Sequence, residues 1–555
     1  MVPKTSVLYI FGIILLLDQC LVSQGELFTA ISEVEPLLET HKRIIDDLDD
    51  YVKKEETRLQ VLKRHLNVYK REHEQAMEDI PNYLGNPINA FTLIKRLTTD
   101  IDLIEQSIKK GTEYIKNITM THSDVKYPSL EDLTGAANAL TRLQDTYYLR
   151  VDELSEGILN GVQYSTPMSA GDCFELGRTL YNEKDFKNAL AWMTQALRKY
   201  RKETDHVYAF TEVDILEYIS FSYFLLDDVE SALFWTKKLL QLDPKHARAR
   251  GNVPHYQKSI QEQQEKLRVQ RRGETGARDD EAKKKPLVSN YSKERKAYEA
   301  LCRGEMEIPN EVANRLTCRY MTENHPFLRL APFKMEQMYI APDVYVFHEV
   351  LSDDEIEHIK ELAKPRFKRA VVHDPKTGEL VPANYRISKS AWLRDEESSV
   401  IARVSRRIHD FTGLNLESAE ELQVVNYGIG GHYEPHYDFA RKHENAFSKF
   451  NGNRIATVLF YMSDVAQGGA TVFTELGLSV FPKKGSALFW MNLHPSGEGD
   501  MSTRHAACPV LRGSKWVSNK WIHQGGQELI KPCTLEYQEE NFVRHIARPV
   551  PKSFR

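Results

Sequence analysis

Apolar residues in the N-terminal part of the chain fall at intervals of three and four. Ile45, Leu48, Val52, Leu59, Leu62, Leu66 and Tyr69 form one stripe, which only Glu55 interrupts, and Lys, Arg, Glu and Asp fill the positions between. This spacing predicts an amphipathic helix of coiled-coil type over about three heptads, suited to self-association. A helix folded back on its own neighbour would carry the same stripe. Pro81 and Gly85-Asn86-Pro87 interrupt the region, so residues 26–125 are expected to form at least two helices. From about residue 340 the period changes. Ser352-Asp353-Asp354-Glu355 is a capping box that opens a helix. Short apolar runs bounded by turn residues follow: Leu422 to Tyr427, Arg454 to Tyr461, Ala470 to Phe473, Leu478 to Phe481, Ala487 to Trp490 and Lys515 to Ile522. Strands at such spacing predict a sandwich or barrel.

Residues 140–255 read as a second helical block. Ala189-Leu190-Ala191-Trp192 is echoed by Ala232-Leu233-Phe234-Trp235, and each follows an acidic turn. Paired helices with this small-large alternation resemble tetratricopeptide units, whose concave face suits an extended peptide. A plain helical bundle would give the same pattern without a ligand. Residues 256–340 are expected to be a charged linker and connecting region that starts as a polar helix tail, with Lys283-Lys284-Lys285-Pro286 as a solvated basic run.

Composition narrows the class. The chain has 555 residues, 28% of them charged, with a net charge of −5. It is too long for one core, and it carries no general nucleic-acid footprint. Residues 1–25 combine Lys4, an apolar run from Ser6 to Leu17 and the small-x-small site Ser23-Gln24-Gly25, which is the pattern of a cleaved signal peptide. Secretory entry makes disulfides expected, and Cys302–Cys318 and Cys508–Cys533 are the economical pairings because each closes a local loop. Cys173 is then left over, buried and inert. Asn117-Ile118-Thr119 and Asn290-Tyr291-Ser292 are glycosylation sequons.

The chemistry is concentrated near the C-terminus. His436-Tyr437-Asp438 follows a turn holding Gly428, Gly430 and Gly431. On a strand, residues i and i+2 share a face, so one imidazole and one carboxylate can reach one metal. His505 offers a second imidazole. Two histidines and one carboxylate on one face of an octahedron leave three open positions, which suits Fe(II) and O2. Lys515, ten residues beyond His505, can hold the distal carboxylate of 2-oxoglutarate. An isolated His-x-Asp carries little information; the full series in an all-β setting carries much.

The segments Gln423 to Asp438, Gly468 to Phe473 and Lys515 to His523 resemble the catalytic core of collagen prolyl 4-hydroxylase α subunits. The resemblance extends over essentially the whole mature chain. It implies a multidomain protein: a helical dimerisation segment (26–125), a tetratricopeptide-like α domain that binds peptide substrate (140–255), then a double-stranded β-helix, or jelly-roll, dioxygenase domain (341–555, core 418–526). His436, Asp438 and His505 would bind Fe(II). Lys515 would pair with 2-oxoglutarate, Tyr427 and Thr471 would hydrogen-bond it, and Trp521 would wall its pocket. Tyr433, Arg454 and His523 would meet the prolyl peptide, although Arg454 could instead pair with Glu420. In the helical domain Tyr218, Phe221, Phe224, Arg248, Asn252 and His255 stand at the positions of the family's aromatic groove, where several members carry tyrosine at 221, 224 and 255, so stacking is kept and hydroxyl donors are lost. Lysine at 515, where lysyl hydroxylases usually carry arginine, favours a prolyl substrate. The implied activity is 4-hydroxylation of proline in procollagen or other proline-rich chains, with O2 as co-substrate and L-ascorbate as rescuer of oxidised iron. The implied partner is protein disulfide isomerase, in an α2β2 tetramer in the lumen of the endoplasmic reticulum, since the chain ends in Lys552-Ser553-Phe554-Arg555 rather than a retention tetrapeptide. The alternative is a non-catalytic scaffold that binds proline-rich peptides.

Overall fold

The computed structural model describes residues 36–78, 130–204, 208–273, 290–373, 380–383, 385–428, 430–442, 444, 447, 452–533 and 548–549. The signal-peptide segment and Asn117 lie outside them. Helix α1 (Pro36–Glu78) belongs to a separate compact unit, residues 32–128. It is one continuous helix, and Ile45, Leu48, Val52, Leu59 and Leu66 of its stripe are exposed. Glu55, which breaks the stripe, is ion-paired to Arg58 one turn on at 2.5 Å.

The other unit opens on α2 (Leu130–Tyr147), earlier than the sequence boundary at 140. The helices α3 (Ala170–Asn182), α4 (Phe186–Tyr200), α5 (Glu212–Leu225), α6 (Val229–Leu242) and α7 (Ala247–Gly273) follow. The internal repeat is visible in the caps. Asp185 and Asp228 take the same N-cap conformation, and each side chain accepts a hydrogen bond from the backbone N–H three residues on. Trp192 is fully buried in this helical core, and its indole N–H donates to Gln144 Oε1 of α2 at 2.8 Å. Residues 256–273 continue α7 as the expected helix tail.

The third region begins with α8 (Asn290–Cys302), at whose first position the second sequon stands. A nine-stranded antiparallel sheet has the order β1-β2-β3-β12-β9-β14-β7-β6-β4. Its strands are β1 (Cys318–Met321), β2 (Phe333–Tyr339), β3 (Val344–His348), β4 (Lys368–Arg369), β6 (Lys389–Leu393), β7 (Leu422–Tyr427), β9 (Arg454–Tyr461), β12 (Ala487–Met491) and β14 (Lys515–His523). A five-stranded sheet has the order β5-β8-β13-β10-β11, with β5 (Arg386–Ile387), β8 (His432–His436), β10 (Thr471–Phe473), β11 (Leu478–Val480) and β13 (His505–Ala507). The two sheets form the expected jelly roll. Its boundary moves, because β1 and β2 precede residue 341 and are integral to the large sheet.

Alternation along the central strands sets the layers. Val424, Ala456, Val458, Phe460, Trp516 and Ile522 face a core shared with α9 (Asp353–Ala363) and α10 (Ser399–Thr412) through Ile356, Ile359, Ile401 and Ile408. Ser352 caps α9 as its sequence predicts. The neighbouring positions Val425, Tyr427, Tyr461 and Val517 pack on the small sheet. The interior of the roll therefore lies between the sheets, and the site residues project into it.

The cysteine pairing differs from expectation. Cys302 is bonded to Cys508, with Cα atoms 5.5 Å apart, while Cys318 and Cys533 are free and exposed. Loop economy misleads here because β13 leads directly under the end of α8, where Tyr298, Leu301, Ala506 and Cys508 share one small core. Cys318 instead lies on the outer strand of the large sheet. Cys173 is buried as expected, and burial pushes its thiol up to about 12. No helix among the described residues is long and apolar enough to cross a membrane.

Gln144→Leu would strand the buried indole N–H of Trp192. The helical region should lose about 1–3 kcal/mol, read as an earlier transition in urea followed by far-UV circular dichroism.

Candidate functional site

Strands β8 and β13 pair in antiparallel register with His436 directly opposite His505. Asp438 follows β8 by two residues. Its Oδ1 lies 3.7 Å from His436 Nε2, and its Oδ2 lies 3.6 Å from His505 Nε2. The three ligand atoms all fall within 4.8 Å of one another, so one ion could be held between them. His436 Nδ1 donates to Glu434 O at 2.8 Å and His505 Nδ1 donates to Thr503 O at 2.9 Å. Each of these bonds fixes the tautomer, leaving Nε2 with its lone pair toward the centre. Burial and the neighbouring His505 hold His436 well below the usual imidazole range, in the neutral form that binds metals. Burial opposes ionisation of Asp438, but His505, His436 and Arg454 outweigh it and hold the carboxyl at about 2. The donor set and its buried geometry fit Fe(II).

Lys515 opens β14 opposite Tyr427 of β7, and its Nζ lies 5.2 Å from the Tyr427 ring centre. It is 1% exposed. Burial brings its pKa down to about 7, and no acid of the described residues offsets the shift. A buried cation with no carboxylate beside it is suited to one supplied by a ligand. Thr471 is buried nearby, its Oγ1 accepting from Tyr461 OH at 2.8 Å. These residues fit 2-oxoglutarate, which carries a carboxylate at each end.

The residues expected at the peptide are partly engaged with one another. Tyr433 stacks on His436, with ring centres 3.5 Å apart. Arg454 makes a two-pronged pair with Glu420 at 2.5 and 2.9 Å. Its guanidinium also lies 3.9 Å over Trp521, which is buried. His523 presents Nε2 to Glu420 at 3.0 Å and Nδ1 to Gly452 O at 2.8 Å. Arg454 and His523 thus share one buried acid, the pairing with Glu420 that the sequence left as an alternative. Burial opposes ionisation of Glu420, yet Arg454 and His523 hold it at about 2.

Tyr218 lies far along the chain in the helical domain, edge-on to Phe174 and Tyr181. Phe221 and Phe224 continue its row, and Phe224 meets His255 at 5.5 Å. Arg248 on α7 is ion-paired to Glu217 of α5 at 2.8 Å, and Asn252 is half-buried on the same helix. Several interior residues carried no recognisable motif. Arg386 lies over Tyr433 at 4.9 Å and donates to Gln423 Oε1 at 2.9 Å. Thr457 donates to Asp438 Oδ2 at 2.7 Å. Only alternation along β9 could have pointed to Thr457 and Tyr461.

A model of the 2OG-Fe(II) oxygenase superfamily matches residues 422–523, the stretch that carries every one of these site residues except Arg386, Glu420 and the helical-domain set. The C-terminal fold and site are those of a 2-oxoglutarate and Fe(II) dependent oxygenase. Residues 30–161 match a model of the prolyl 4-hydroxylase alpha-subunit N-terminal region, and residues 170–262 match the prolyl 4-hydroxylase peptide-substrate-binding domain. The chain is 46% identical over 539 residues to prolyl 4-hydroxylase subunit alpha-1 of Rattus norvegicus, covering 96% of this chain and 100% of that one. It is 48% identical over 538 residues to subunit alpha-2 of Caenorhabditis elegans, covering 95% and 96%. This chain belongs to the prolyl 4-hydroxylase alpha-subunit family.

Glu420→Ala would leave Arg454 charged, buried and unpaired, a loss of about 3–5 kcal/mol. Because the Glu420 carboxyl is depressed on folding, the stability it contributes is full above the ordinary range near 4.5 and disappears as pH falls toward 2. Acid unfolding followed by tryptophan fluorescence should therefore start at higher pH in the variant.

Proposed function

We propose that this chain is the catalytic α subunit of a prolyl 4-hydroxylase acting on collagen-type, proline-rich polypeptides. The observation that carries the reading is the cluster of half-buried His436 with buried Asp438 and His505, with a buried lysine that has no acid beside it among the described residues. His436, Asp438 and His505 hold Fe(II), each histidine through Nε2. Lys515 binds the distal carboxylate of 2-oxoglutarate, Tyr427 and Thr471 orient it, and Tyr461 aims the Thr471 hydroxyl. Iron, O2 and 2-oxoglutarate together supply the oxidant that converts C4–H of proline to C4–OH, with succinate and CO2 released. The chain's own residues position and exclude water. Tyr433 lies flat on His436, and Trp521, Arg454, Glu420 and His523 make a rigid wall beside Asp438. The aromatic row Tyr218, Phe221 and Phe224 binds polyproline II segments, with Arg248 and Asn252 at its edge. A second groove of this kind raises the effective concentration of prolines at the roll.

The secretory features support a lumenal setting. A leader over residues 1–25, sequons at Asn117 and Asn290, and a disulfide between Cys302 and Cys508 all suit the endoplasmic reticulum. The exposed stripe of α1 pairs two α subunits, and protein disulfide isomerase completes an α2β2 tetramer. Ascorbate returns oxidised iron to Fe(II).

His436→Ala, Asp438→Ala and His505→Ala should each abolish peptide-dependent succinate formation and lower bound iron. Wild-type iron content and turnover in any of them contradicts the ligand set. Lys515 has its pKa depressed to about 7 on folding, so without ligand the unfolded chain binds more protons between there and 10.5, and stability rises with pH across that window. A bound dicarboxylate restores the ammonium. At pH 8, anaerobic calorimetry in buffers of different ionisation enthalpy should therefore show proton uptake on 2-oxoglutarate binding. Lys515→Ala should abolish that uptake and raise the 2-oxoglutarate requirement; a binding enthalpy independent of buffer would count against the role.

A further inference from the structure

Three buried side chains form a line of hydrogen bonds behind Asp438. Trp490 Nε1 donates to Asn492 Oδ1 at 2.8 Å. Asn492 Nδ2 donates to Thr457 Oγ1 at 2.9 Å. Thr457 Oγ1 donates to Asp438 Oδ2 at 2.7 Å. Trp490 and Asn492 are 0% exposed, and Thr457 is 1% exposed. Strand register assembles the line. Thr457 lies opposite Trp490 across the β9–β12 ladder, and Asn492 follows Trp490 by two, on the same face.

The chemistry of the first member sets the direction of the whole line. An indole N–H can only donate, so it selects the oxygen of Asn492. The amide nitrogen must then face Thr457, where it occupies a lone pair of the hydroxyl. The hydroxyl proton is left pointing at Asp438, and it takes up a lone pair of Oδ2. Reversing any member would leave a buried donor or acceptor unpaired, at about 1–3 kcal/mol each. Trp490 bears on a second metal-site residue as well. Its ring stands edge-on to His505, with centres 4.8 Å apart.

We propose that Asn492 is a positioning residue that sets this polarity and so restricts Asp438 to one-oxygen coordination of the metal. This rests on the reading of His436, Asp438 and His505 as ligands. A carboxylate that chelated through both oxygens would occupy one of the three positions a two-histidine, one-carboxylate site keeps open for its co-substrates. Thr457 engages Oδ2 and so leaves Oδ1 as the oxygen to serve, on a carboxylate that Trp521 also polarises. Trp490, by packing on His505 and directing Asn492, aligns two of the three ligands from a single rigid ring.

The test uses the full-length chain and Co(II) alone, followed by calorimetry and by visible absorption. Thr457→Val removes the hydroxyl at nearly constant shape, whereas Thr457→Ser keeps it. Asn492→Asp keeps the size but replaces the donor with an acceptor, so the Thr457 hydroxyl turns to residue 492 and releases Asp438. Thr457→Val and Asn492→Asp should weaken Co(II) binding roughly tenfold or more and change the Co(II) absorption bands. Thr457→Ser should retain wild-type affinity and bands. The two Thr457 variants carry the test by themselves if the new carboxylate prevents folding of Asn492→Asp. Wild-type Co(II) affinity and bands in Thr457→Val overturn the proposal, as does a lowered melting temperature with unchanged bands, which marks a structural role only. Asp438→Ala separates the two readings: wild-type Co(II) binding there removes Asp438 from the ligand set and the positioning role with it.

Discussion

The site depends on one pairing, that of β8 with β13. Opposing His436 and His505 across this ladder sets their rings 4.4 Å apart and leaves the carboxylate of Asp438 between their Nε2 atoms. A slip of one residue would turn one histidine out of the roll, because side chains alternate faces along a strand. The turn before β8 guards the register. A Cβ on Gly431 would meet backbone atoms of Gly428 and Ile387 at 3.0 Å, so any side chain there would have to push the backbone aside by a few tenths of an ångström.

The second constraint is the amount of charge taken out of water. Asp438, Glu420, Arg454 and Lys515 all lie inside the roll. Three of them are balanced by protein groups. Asp438 has the histidines and Thr457, while Glu420 and Arg454 have each other and His523. Lys515 has the Tyr427 ring beside it but no acid among the described residues, and burial lowers its pKa. That asymmetry distinguishes the wall of the site, whose charges are paired within the protein, from the buried lysine, whose charge is not paired with an acid of the described residues.

The helical regions reach the metal strands through their flanking loops. Arg142 of α2 donates to Gly430 O, just before β8, and Tyr147 of α2 donates to Pro509 O, just after β13. Cys302 of α8 is bonded to Cys508 on the same stretch, and Arg504, beside His505, is ion-paired to Glu294 of α8. The same α2 that holds Trp192 of the helical core therefore also holds the loops at both ends of the metal ladder.

Local pattern was enough for much of this protein. Short apolar runs bounded by turn residues located β7, β9, β12 and β14 nearly to the residue, and a capping box located α9, because these signals arise from neighbours in the chain. The gathering of His436, Asp438 and His505, and the burial of Lys515, were legible because chemistry of this kind uses a narrow set of side chains at fixed spacing. Contacts between distant segments were decided by tertiary structure. The disulfide joins residues 206 apart in sequence rather than closing the short loops that chain entropy favours. Arg454 turned to Glu420, and the line from Trp490 through Asn492 and Thr457 to Asp438 joins three separate stretches of chain. Asparagine and threonine have no distinctive pattern on a strand. Their role exists only once two sheets close and leave each buried donor a single acceptor.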